Sequence, residues 1–196
     1  RRFNSLGYAS VKAGAGKGKI SKDVIQDPSY ERHASIGWNY RMPELCAAVA
    51  LGQLEHLDEL VEMRKKVAAG YAKITKDCSW LTPQKVPQEY DHSYWAYVLR
   101  LDNENQFSWY DFRKKYMELG GDGIYGAWQL TYLEPAFRGK QLDKNQTQVF
   151  EKGPCKHAED IQPKLLQFKT NYYSEEEIHT ATHALIQTIE FFDKKM

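Results

Sequence analysis

Cysteine is scarce in this sequence: Cys46, Cys78 and Cys155 are odd in number, far apart and never spaced as Cys-x-x-Cys. That excludes a disulfide framework or a thiolate zinc site as the organising device and fits reduced thiols in a cytoplasm. Charge of one sign is lacking too, since 27 Lys and Arg stand against 26 Asp and Glu, for a formal charge of +1. So even a balance provides no broad positive field to select nucleic acid or an anionic membrane. No apolar run approaches the roughly 20 residues that cross a bilayer, and the opening residues do not follow the pattern of a secretion signal. What remains is a globular chain of 196 residues, 42% of them hydrophobic, which is enough for a real core.

What is there begins with a glycine-rich arm. Gly14, Gly16 and Gly18 alternate with Ala15 and Lys17, but no register supplies the Gly, four residues, Gly-Lys, Ser/Thr order of a phosphate loop. Composition predicts an exposed loop there. Asp27-Pro28 marks a turn ahead of Tyr30, Arg32 and His33. The stretch Gly37-Trp38-Asn39-Tyr40-Arg41-Met42-Pro43-Glu44-Leu45 then leads into a helix, for which Pro43 is a suitable opener because its φ is already helical and its missing N–H would have gone unbonded. Leu45, Ala48, Val49, Leu54, Leu57, Leu60, Val61, Val67, Ala68, Tyr71 and Ile74 recur at helical spacing, which predicts one long helix over residues 43–76. Gly52, unfavourable inside a helix by about 1 kcal/mol relative to Ala, suggests close packing at that point.

Beyond Thr75 the pattern changes. Residues 80–86 read as a short strand that Pro83 confines to a sheet edge, and residues 92–101 read as the best strand in the chain, aromatic or β-branched at nearly every position. Ser108 and Asp111 form a capping pair, Phe107 and Phe112 a hydrophobic staple, and Gly120-Gly121 a left-handed stop, so a helix is expected from about Trp109 to Leu119. Residues 122–137 read as a short strand opening into an aromatic loop. There Tyr125, Trp128, Tyr132 and Phe137 are either a core patch or flat faces on which a sugar or base stacks. A polar loop over 138–152, a short helix opened by Pro154, and a strand over 165–168 follow. The last helix is capped by Ser174 and Glu177 and carries the stripe Ile178, Ala181, Leu185, Ile189, Phe192. His179 and His183 lie four apart on it, but Thr180 stands where a zincin has its Glu, and the pair reads as part of a polar face with no metal role.

This order of elements predicts an α+β fold: a long bridging helix, then helices packed on a small, mainly antiparallel sheet. The run from Gly37 to Leu45, with Ala47-Ala48, Gln53-Leu54 and Leu57-Asp58-Glu59-Leu60, resembles the signature of the sugar aminotransferases of the DegT/DnrJ/StrS family. These are pyridoxal-phosphate enzymes of fold type I, in the aspartate aminotransferase superfamily, and the likeness is to their C-terminal half. In the family, the cofactor-anchoring lysine, the acid that pairs with the pyridine nitrogen and the ring-stacking aromatic all lie upstream of the signature. The resemblance therefore implies no catalytic residue in this chain, which is expected to be silent alone. It implies three segments: 1–42 as an arm and signature loop from the cofactor domain, 43–76 as the bridging helix, 77–196 as the small domain.

The resemblance also gives roles to single residues. Taken by itself, Asn39 is a turn or capping residue and Arg41 a surface ion-pair partner. By resemblance, Asn39 reaches across a dimer interface to the phosphate of the partner subunit's pyridoxal phosphate, while Arg41 either donates to an anionic group of substrate or is an interface residue. His92 opens the family's His-Ser-Tyr strand and either touches substrate or holds a structural hydrogen bond. Tyr125, Trp128 and Tyr132 fall where relatives approach the sugar nucleotide, although Gly126-Ala127 replaces the family's proline. The implied reaction moves an amino group, usually from glutamate, to a nucleotide-linked keto-sugar, in a homodimer or in a pairing with the missing N-terminal half. Two alternatives remain open: a dehydratase of the same family, in which a His replaces the lysine, and a non-catalytic dimerisation or ligand-binding module.

Overall fold

The computed structural model describes Gly7 and residues 21–40, 42–102, 106–137, 153 and 155–195. The glycine-rich run at 14–18, Arg41, the polar loop at 138–152 and Pro154 lie outside the described residues. Two compact units result, Arg1–Leu51 with Trp128–Pro163, and Gly52–Ala127 with Lys164–Met196. This grouping differs from the expected one, in which 77–196 forms a single body. The reason is local: Ala136 N–H bonds to the His33 carbonyl at 2.9 Å and Gln162 Nε2 to that of Pro28 at 3.1 Å, which ties these two residues to the segment ahead of the signature loop.

In the second unit, helix α3 (Leu57–Thr75), helix α4 (Trp109–Glu118) and helix α6 (Glu175–Asp193) accompany a four-stranded sheet. Its strands are β1 (Leu81–Pro83), β2 (Tyr97–Leu101), β3 (Tyr125–Gly126) and β4 (Leu165–Phe168), in the order β1-β2-β4-β3 with every pairing antiparallel. Register sets Leu99 opposite Leu166 and Tyr97 opposite Phe168. These four side chains are all buried. Pro83 ends the edge strand β1, where its missing N–H costs no ladder bond.

Both expected capping boxes form. Ser108 accepts from Asp111 N–H and Ser174 from Glu177 N–H, and each acid bonds back to its cap's N–H. At the other end of α4, Gly120 N–H bonds to the Met117 carbonyl at 3.1 Å and Gly121 N–H to that of Tyr116 at 2.9 Å. With Gly120 at φ +93°, this is a Schellman stop that an L side chain would strain. The core between these helices and the sheet is a cluster of rings: Trp80 meets Phe107 edge-on at 5.0 Å, Phe107 stacks on Phe192 at 4.0 Å, and Phe168 abuts Tyr116 at 5.4 Å. Trp80 satisfies its indole N–H on Asp193 at 2.8 Å.

Two expectations about helix and strand extent are corrected. The long helix comes in two pieces, α2 (Glu44–Leu54) and α3, parted by a turn at Glu55 and His56. The strand read over 92–101 is regular only from Tyr97, because Tyr94 takes φ +47° and its N–H bonds to His92 Nδ1 at 2.9 Å. A local side-chain bond of this kind competes with the ladder. The first unit contains α1 (Lys22–Gln26), most of α2, a 3-10 turn at Thr131–Leu133 and α5 (Lys156–Ile161).

Candidate functional site

The signature loop belongs to the first unit. Asn39 sits there at φ +52° with its side chain exposed. Asn is one of the few residues that tolerates this left-handed backbone, so the turn itself accounts for Asn at the position, and the same turn presents a neutral amide to the outside. Trp38 and Tyr40 stack on either side of it in sequence, 6.1 Å apart and nearly parallel. Arg41 lies outside the described residues.

Downstream of the loop, α2 buries nothing. Leu45 is 76% exposed, Val49 61%, Leu51 65% and Leu54 60%. Its sequence, ELCAAVALGQL, is apolar around nearly its whole girth rather than along one stripe. A helix of that kind belongs in an interior. Gly52 was expected to mark close packing, yet nothing lies within 4 Å of where its Cβ would stand. None of the described residues of the chain buries a residue of α2.

The aromatic loop of the same unit is built around a buried cation. Arg32, 2% exposed, donates from Nη1 to the Tyr30 carbonyl at 3.1 Å and from Nη2 to those of Ile25 at 2.5 Å and Asp27 at 3.4 Å. Its Cζ lies 4.9 Å from the centre of the Trp128 ring and 5.2 Å from that of Tyr30. His33 is held by its backbone, which donates to the buried Glu134 carboxylate at 3.1 Å and accepts from Ala136, and its ring approaches Trp128 at 6.3 Å. Tyr132 donates to Glu159 Oε1 at 2.6 Å, and Gly153 N–H reaches the same oxygen at 2.7 Å. Loss of water and the neighbouring carboxylate of Glu159 push the Tyr132 phenol well above its usual range, so it remains a neutral donor.

His92 and Tyr125 belong to the second unit. Accepting from Tyr94 at Nδ1 obliges a neutral His92 to carry its proton on Nε2. Its ring lies 4.4 Å from that of Tyr94, so the structural hydrogen bond weighed for this histidine is present. Tyr125 stands on β3 with its side chain exposed, where its partner strand contributes Gln167, whose amide caps the Gly126 carbonyl at 2.9 Å. The structure thus brings Trp128, Tyr132 and Asn39 into one unit and His92 and Tyr125 into the other.

Sequence reasoning named Arg32 and His33 only as residues after a turn, and it missed Glu134, Glu159 and Gln162. The available signal was the order aromatic-x-Arg-His beside Asp27-Pro28, and it does not reveal burial. Among the described residues no group of three or more His, Cys, Asp or Glu is placed to hold a metal ion. His179 and His183 stack along α6 at 5.7 Å. Among the described residues no helix is long and apolar enough to cross a membrane.

Comparison with known proteins places this geometry. The chain is 35% identical to the GDP-perosamine synthase of Vibrio cholerae over 52% of its own length and 31% of that protein's. It is 31% identical to the UDP-4-amino-4-deoxy-L-arabinose--oxoglutarate aminotransferase of Shewanella sediminis over 34% of this chain and 17% of that protein. The fold overlays an aminotransferase from Psychrobacter cryohalolentis with a TM-score of 0.65 at 17% identity, over 97% of this chain and 48% of that one. Helicobacter pylori PseC, an aminotransferase of pseudoaminic acid biosynthesis, overlays at 0.57 and 22% identity, over 97% and 45%. The chain therefore spans under half the length of these relatives. The family model for DegT/DnrJ/EryC1/StrS aminotransferases matches residues 15–181, which take in the arm, the signature loop, both helices behind it and the small sheet, and the chain belongs to that family.

Proposed function

We propose that this chain is the C-terminal portion of a pyridoxal-phosphate-dependent aminotransferase that transfers an amino group from glutamate to a nucleotide-linked keto-sugar, and that the cofactor-anchoring lysine lies in a segment outside this sequence. The observation that carries this reading is the signature loop with the exposed apolar helix behind it: α2 needs a surface to bury it, and none of the described residues supplies one. Leu45, Val49, Leu51 and Leu54 together represent several kcal/mol of burial, at about 1.5–3 kcal/mol for each such side chain fully removed from water. The cofactor domain of the same enzyme, with a second copy across the signature loop, is the cover proposed. The names of the relatives, one GDP-linked and one UDP-linked, support a nucleotide sugar as acceptor.

Bound cofactor supplies the electron sink that lets an amine change carriers. The residues here bind and orient. Asn39 offers an exposed neutral amide, suited to a phosphate oxygen of the partner subunit's cofactor because it donates without altering the charge balance. Arg41 is assigned to an anionic group of substrate. His92, with Nδ1 engaged, has Nε2–H left to donate to substrate hydroxyls. Tyr125, Trp128 and Tyr132 are assigned to the sugar nucleotide.

The test is to read the coding DNA upstream of Arg1, express the extended protein with pyridoxal phosphate, and follow visible absorbance as glutamate is added. Retained cofactor whose spectrum changes with glutamate supports the reading. In that protein Asn39→Ala should weaken cofactor retention about tenfold or more, the worth of one hydrogen bond to a charged group. A histidine at the lysine position points instead to sugar dehydration, and absence of any cofactor signal overturns the proposal.

A further inference from the structure

Arg32 has no part in the chemistry assigned so far, yet it is the most deeply placed cation among the described residues. A guanidinium taken out of water must have its donors met to be tolerated. Here they are met by the carbonyls of Ile25, Asp27 and Tyr30, all within one short stretch from the end of α1 through the turn after it. The plane of the guanidinium is therefore fixed by backbone. Trp128 is fixed in turn. Its ring packs 4.9 Å from Arg32 Cζ, and its carbonyl accepts from Gln162 Nε2 at 3.4 Å, the same amide that holds Pro28 at 3.1 Å.

The contact with Arg32 does not shut the indole away from solvent. Trp128 is 46% exposed. A cation against one face of an aromatic ring draws π density toward itself and leaves the other face less negative. Such a face is poor for a second cation and good for a flat, uncharged ring. Every nucleobase offers one, and stacking of this kind needs a plate that does not turn.

We propose that Arg32 is a positioning residue that sets the Trp128 indole as a fixed plate on which the base of the nucleotide sugar stacks. This rests on the sugar-nucleotide reading above and extends it from the sugar to the base. All of its parts lie within the first unit.

The test is a titration of the chain with GDP and with UDP, followed by tryptophan emission. Trp128→Phe identifies the signal that belongs to Trp128 and, as the flat-ring replacement, keeps most of the affinity by a competition readout. Trp128→Leu leaves the Arg32 carbonyl bonds in place and should weaken nucleotide binding about tenfold or more, in line with the loss of one base stack. Arg32→Lys keeps the charge but loses the fork, so Trp128 anisotropy should fall and affinity drop several-fold. In the extended enzyme the same change should raise KM for the nucleotide sugar with kcat held. Unaltered nucleotide affinity in Trp128→Leu, or equal competition by ribose 5-phosphate, which has no base, overturns the proposal. The two readings fail separately: nucleotide-independent Trp128 emission in an extended protein that transaminates overturns the plate alone, whereas Trp128 quenching in one that retains no cofactor supports the plate and overturns the transaminase.

Discussion

Helices α2 and α6 are both rich in apolar residues, and they meet opposite fates. In α6 the apolar positions form one stripe, and Ala181, Ala184, Leu185, Thr188 and Phe192 are buried against the rest of the second unit. In α2 they surround the axis, and no residue is buried. A stripe needs one neighbour, which the same chain supplies. A helix apolar all round needs neighbours on every side, and none of the described residues supplies them for α2. The kind of apolar pattern, more than its amount, tells whether a helix completes its packing within its own chain.

The strongest way to break this contrast is to truncate one side chain from each setting. Phe112, fully buried among Trp80, Tyr116, Phe168 and Phe192, should cost about 3–5 kcal/mol as Phe112→Ala. Leu45→Ala should stay within about 0.5 kcal/mol. Urea unfolding of the isolated chain measures both, and a large loss for Leu45→Ala would mean that α2 is packed after all.

A second substitution sharpens the picture of the packed side. A Cβ on Gly121 would stand 2.4 Å from the Tyr116 ring, which is buried and whose hydroxyl donates to the Ala181 carbonyl at 3.2 Å. Gly121→Ala is therefore expected to destabilise by about 1–3 kcal/mol, the cost of overpacking. A parallel change, Gly52→Ala in α2, meets open space and should stabilise by about 1 kcal/mol through helix propensity. Thermal melts of the pair should move in opposite directions.

The smallest effect concerns acid. Backbone N–H groups hold both capping carboxyls below their usual range, that of Ser108 for Asp111 and that of Tyr173 for Glu177. A carboxyl lowered on folding stabilises fully above its unfolded value, about 4, and loses that contribution as the pH falls through the lower folded value. Asp111→Asn and Glu177→Gln should each flatten the acid limb of stability against pH while leaving its neutral part parallel to the parent, as read from urea midpoints across pH 2–7.

The features most legible in the sequence were those in which one local signal decides the outcome. Ser-x-x-acid caps, the paired glycines after α4, the proline at a sheet edge and the α6 stripe each act within a turn or two of chain. The turn at Glu55 and His56 was not legible, because the apolar spacing runs through it unbroken. The strand lead-in at His92 was misread because aromatic residues favour strands generally, while a single side-chain bond to Tyr94 decided otherwise. For the candidate site, the signature loop and the Trp128 region stood out through resemblance. Arg32 did not, because nothing in an isolated Arg says that three carbonyls await it.

The order of the sheet has a consequence for the making of the chain. Strand β2 pairs with β4, so Val98 must wait for Gln167, and the core between them waits for α6 at the end of the sequence. Pairings this distant are slow to form, since the loop must close before any contact rewards it. During synthesis α2 leaves the ribosome before β4 and α6 do, so the small sheet is still incomplete when α2 emerges. The nascent chain thus passes through a period in which the apolar α2 is already out and the core of the small sheet is not yet possible, which is an interval in which a holdase chaperone has a segment to grip.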